Sequence, residues 1–137
     1  MSRIINLESA GKERTRLTKS VALAVRELTR QHSYGNESRD LAAFIALALA
    51  IISETIDMSV TAWEKRGYWV KADKFRMEWA WSGAYAAKMK QAVLHEDWDT
   101  IVLIAAQIAQ KLKNVVVAPG HRMGRPWVGA WEKIQKS

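Results

Sequence analysis

The chain has 137 residues, 49% hydrophobic and 26% charged, the balance of one globular domain rather than of a disordered polypeptide. It carries no cysteine, which excludes disulfide frameworks, thiolate metal sites and cysteine nucleophiles. The formal net charge of +7 favours anionic partners.

That charge is unevenly placed. Residues 1–32 hold seven Lys/Arg against three Glu, and residues 111–137 hold six against one, whereas residues 33–110 hold eight against ten acids. Basic ends thus bracket a slightly acidic middle, which points either to an anionic partner or to ends that pack on that middle. Met1-Ser2-Arg3-Ile4-Ile5-Asn6 leads into charged residues rather than the apolar stretch of a signal peptide, and the longest apolar run, 41–52, is shorter than the roughly 20 residues a bilayer needs. The expectation is a soluble cytoplasmic protein with no membrane partner.

The first helix is predicted over 9–32. At 100° per residue, Leu17, Val21, Ala24, Val25 and Leu28 gather on one side. Lys12, Arg16, Lys19, Arg26 and Arg30 gather opposite, within about 80° of arc, and only Leu23 interrupts that stripe. His32-Ser33-Tyr34-Gly35-Asn36 reads as a turn.

A second helix follows, capped by Asn36 or Ser38, with Glu37 and Asp40 in its first turn. Residues 41–52 are apolar all round, which marks this helix as the central one, and Gly67 suits a left-handed cap at its end. The third helix, 70–94, carries two apolar lines. Ala72, Phe75, Trp79, Ser82/Gly83, Ala86 and Val93 form one, whose small residues favour close packing. Val70, Met77, Trp81 and Tyr85 form the other, which requires separate cover.

Asp97 or Asp99 is expected to cap a fourth helix over 99–113, with a core face of Ile101, Val102, Ile104, Ala105, Ile108 and Leu112. Beyond it, 114–118 reads as extended and 119–125 as an irregular basic loop. Pro126 then opens a short helix bearing Trp127, Trp131 and Ile134 at i, i+4 and i+7. The fold expected is all-α: a four-helix, mainly antiparallel bundle over 1–113 with an apolar central helix 2. A C-terminal extended arm, 114–137, ends in the short helix and packs on the bundle or on a second subunit. Trp127 and Trp131 are expected to cover Met77, Trp81 and Tyr85, making these five the candidate interface.

Two features carry a functional expectation. The stripe of Lys12, Arg16, Lys19, Arg26 and Arg30 spans about 27 Å of helix, long enough to follow several phosphates. The loop Gly120-His121-Arg122-Met123-Gly124-Arg125 joins glycines to two arginines, a combination suited to anions although it lacks P-loop spacing. Nucleic acid or another polyanion is therefore the expected partner of a non-catalytic module. The rival expectation is an assembly subunit that forms homo-oligomers through its apolar surfaces.

No catalytic motif, metal set or cofactor fingerprint occurs. Glu54, Asp57, Thr61 and Glu64 share a face of helix 2, but no Glu-x-x-His pair accompanies them, and His32, His95 and His121 lie far apart. Those carboxylates are expected to pair with Arg14 or Arg76.

Overall fold

The computed structural model describes residues 7–137; residues 1–6, on which the signal-peptide expectation rests, lie outside them. Among the described residues there are five helices and no strand: α1 (Leu7–Thr29), α2 (Asn36–Lys65), α3 (Trp69–Leu94), α4 (Trp98–Lys111) and α5 (Ala130–Gln135). The protein is a helical bundle with α2 at its centre, flanked by α1 and α3, while α4 lies on α3 and α1, and α5 on α2.

The position of α2 follows from its composition. Leu41, Ile45, Leu49 and Ile52 recur at i, i+4, i+8 and i+11 and are fully buried. Each such side chain contributes about 1.5–3 kcal/mol by leaving water. Ala42, Ala43, Ala46 and Ala48 are also buried, so α1 and α3 approach on different sides. An 18-residue window of α2 has a mean hydropathy of 1.9, apolar enough for a bilayer by composition alone. In the fold, 56% of that window is buried among the neighbouring helices.

The helix termini show how local chemistry sets the boundaries. Gly67 takes φ +81° after α2, and the Tyr68 N–H donates to Trp63 O at 2.9 Å, closing a tight turn into α3. At the start of α4, Asp97 accepts from Thr100 N at 3.2 Å and from Thr100 Oγ1 at 2.6 Å. The caps expected at the start of α2 do not form. Gly35 occupies that position without a side-chain bond, and Ser38 Oγ donates back to Ser33 O at 2.9 Å. Pro126 likewise does not open the last helix. Residues 126–129 form turns, and α5 begins after Gly129 at φ +85°.

The two apolar lines of α3 have different fates. Ala72, Ser82, Ala86 and Val93 are buried against the bundle, with Phe75 and Trp79 half-buried beside them. At Gly83 the backbones of α2 and α3 come so close that a Cβ would stand 2.9 Å from Ser53 Oγ. The second line is covered only in part: Met77 is 77% exposed and Val70 70% exposed, while Trp81 and Tyr85 are half-buried and packed against the core that includes Trp127. The short helix α5 packs mainly on α2, with a smaller contact to α3.

Candidate polyanion-binding face

The arm decides the shape of this face. After α4, the Arg26 guanidinium donates to Val115 O at 2.9 Å, and eight residues later Met123 Sδ accepts from Ser20 Oγ at 3.5 Å. Arg26 and Ser20 lie about 120° apart around α1 and about 9 Å apart along it. Leu23 sits midway. The arm therefore straps across the outer face of α1, and the lone apolar residue in the basic stripe lies under the crossing. Leu23, Val115 and Val117 are all half-buried and packed against the core, in keeping with that path.

Beyond the crossing the arm is fixed to the start of α2. Arg125 pairs with Glu37 at 2.7 Å. The Asp40 carboxylate accepts the backbone N–H groups of Gly129 at 3.2 Å and Trp131 at 2.9 Å. Trp127 is 3% exposed and forms part of the core, and Trp131 packs half-buried with Arg39 over its ring. Of the five residues expected to meet at one interface, Trp127 and Trp131 thus belong to the α2 contact. Met77 remains in solvent.

The stripe is consequently not one continuous strip. Lys12, Arg16 and Lys19 are exposed on the N-terminal side of the strap, and Arg26 and Arg30 on the other. Arg26 is committed to the arm, and Arg125 to Glu37. Arg16 pairs with Glu13 at 2.9 Å and Arg30 with Glu27 at 3.0 Å, both within one helical turn. Such surface pairs are worth about 0–1 kcal/mol, too little to hold an arginine back from a phosphate. Among the described residues, Lys12, Lys19 and Arg122 form no ion pair, and no α2 carboxylate reaches the stripe.

The carboxylates of α2 have separate arrangements. Glu64 pairs with Arg76 at 2.8 Å, as expected. Arg14 does not meet a carboxylate. It donates to Thr55 O, Thr55 Oγ1 and Ser59 Oγ at 3.3–3.4 Å and lies over the Phe75 ring, and burial lowers its pKa. Its polar partners were invisible in the spacing because hydroxyls and a carbonyl satisfy it, rather than an opposite charge.

The face therefore comprises Lys12, Arg16 and Lys19 on α1, with Arg122 carried alongside by the Met123–Ser20 contact. The loop bearing Arg122 is shaped by His121, whose Nδ1 accepts from Met123 N at 3.3 Å. Guanidinium and ammonium groups on a rigid helix can each take phosphate oxygens without inducing order elsewhere. No protein-family model, curated protein or solved structure matches the chain.

Proposed function

We propose that the protein is a non-catalytic helical module that holds a polyanion, a nucleic-acid backbone foremost, on the N-terminal half of α1 and the adjoining arm loop. The observation that supports this reading is the contact of Met123 with Ser20, which brings the exposed Arg122 loop to the turn of α1 that carries the solvent-facing Arg16 and Lys19. With about four cations engaged, duplex affinity should fall with salt at a log–log slope of about −3 to −4 and depend little on sequence.

A salt-titrated binding measurement on single- and double-stranded DNA and RNA tests it. The K12E/K19E/R122E variant should lose binding at low salt; unchanged affinity would overturn the reading. Arg26 is a poor choice for that test, because replacing it also releases Val115.

A second reading, an assembly subunit, is favoured by the uncovered side chain of Met77 beside Trp81 and Tyr85. It requires association in sedimentation that Met77→Glu abolishes. A monomer at high protein concentration would remove it.

A further inference from the structure

We propose that the α2–α3 hairpin tip docks on an anionic lipid bilayer surface, as a peripheral contact distinct from the polyanion face on α1. The sequence there is Trp63-Glu64-Lys65-Arg66-Gly67-Tyr68-Trp69-Val70-Lys71, three aromatics and Val70 among three cations and one acid. In the fold, Tyr68 is 54%, Trp69 61% and Val70 70% exposed. Tyr68 caps α3 and Trp69 and Val70 open it, so the three exposed side chains lie together at the tip of the hairpin.

The charges around the tip are predominantly positive. Lys65, Arg66, Lys71 and Lys74 are all exposed around it. The two nearest carboxylates, Glu64 and Asp73, are both held by Arg76. Glu78 is the next acid, a further turn along α3. With Arg76, these cations outnumber Glu64, Asp73 and Glu78 by five to three, so the apolar cap carries a net charge of +2 around it.

Lys71 Nζ also lies 4.4 Å from the centroid of the Trp63 ring, and an open groove of about 550 Å³ runs between Trp63, Val70, Lys71, Lys74, Phe75 and Glu78. Trp and Tyr rings settle at the headgroup level of bilayers, and Lys and Arg there meet lipid phosphates and carboxylates. A second copy of the chain would set these lysines against themselves. A nucleic-acid backbone would offer Val70 nothing apolar.

The hairpin is built to carry such a contact. Ile56, Val60 and Ala72, with Trp63, Phe75 and Trp79, form a small core of their own beneath the tip. The hydrogen bonds Gly67 N to Glu64 O (3.0 Å) and Tyr68 N to Trp63 O (2.9 Å) fix the turn. The cap is thus presented on a rigid base.

The test uses the full chain and vesicles of phosphatidylcholine with or without phosphatidylserine, read by co-sedimentation at low ionic strength. Binding is expected to the phosphatidylserine vesicles only. W69E/V70E should abolish it, and K71E/K74E should weaken it on the order of tenfold or more. Circular dichroism and thermal unfolding serve to check that each variant is folded, which is expected because all the substituted side chains are exposed. The proposal is overturned by no binding, by equal binding to phosphatidylcholine alone, or by binding that survives W69E/V70E. Loss of oligonucleotide binding in W69E/V70E without any vesicle binding would also overturn it, assigning the tip to base stacking.

Discussion

Asp40 Oδ1 accepts the backbone N–H of Trp131 at 2.9 Å across 91 residues of sequence, and its other oxygen accepts Gly129 N at 3.2 Å. A carboxylate in the first turns of α2 thereby caps the first turn of α5, where exposed N–H groups favour negative charge. A six-residue helix has little stability alone, so this remote cap is what registers the arm. Asp40→Ala should cost about 1–2 kcal/mol and raise amide exchange across 115–135 while α1 to α4 stay protected. Equal exchange in the arm of both proteins would dismiss the role.

Trp127 is buried, yet its indole N–H finds no acceptor among the described residues. Its contribution is then apolar packing, with a desolvated donor counted against it. Trp127→Phe is expected to unfold within about 1 kcal/mol of the parent, and Trp127→Ala about 3–5 kcal/mol below it. Denaturant melts of the two variants separate packing from hydrogen bonding.

Gly83 sets the distance between α2 and α3. An added Cβ meets only the rotatable Ser53 Oγ at 2.9 Å, with Ser53 Cβ at an ordinary 3.7 Å. Gly83→Ala should therefore be near neutral, the helix propensity of Ala offsetting the shift of one hydroxyl. Gly83→Leu drives a full side chain into the seam and should cost about 1–3 kcal/mol, read from the unfolding midpoint.

The acid limb of stability has an assignable contributor. Hydrogen bonds from the Thr100 hydroxyl, and then from its backbone N–H, hold the Asp97 carboxyl below its ordinary value of 3.8. A depressed folded pKa stabilises the fold above the unfolded value and loses that contribution as pH falls through the folded one. Thr100→Val removes the hydroxyl donor and should make the melting temperature less sensitive to pH below about 4. Parallel melting curves of parent and variant across that range would contradict it.

Much of the helical layout was legible because it rests on local chemistry. The 3.6-residue spacing of Leu17, Val21, Ala24 and Leu28 picks out the buried face of α1, and Asp97 caps α4 as its type and position suggest. The reading of the arm went astray at two points. Pro126 suits a helix start, but the left-handed Gly129 and the distant Asp40 move that start to Ala130. Trp127 and Trp131 match the second line of α3 in chemistry, and nothing local to them shows that α5 packs mainly on α2, with a smaller contact to α3. Leu23 interrupts the basic stripe because a segment nearly a hundred residues away crosses α1 there.

By itself, then, the sequence determined the four long helices, the central place of α2 and the basic character of both ends, since periodicity and composition act within a few turns. Tertiary structure alone decided where the arm lies, and with it which cations remain uncommitted. Arg26 and Arg125 were equal members of the basic set by residue type, yet Val115 O and Glu37 claim them. Lys12, Lys19 and Arg122 were left without an ion pair among the described residues. The physical reason is that a guanidinium's partner depends on which oxygen comes within about 3 Å of it, a distance set by packing rather than by spacing along the chain.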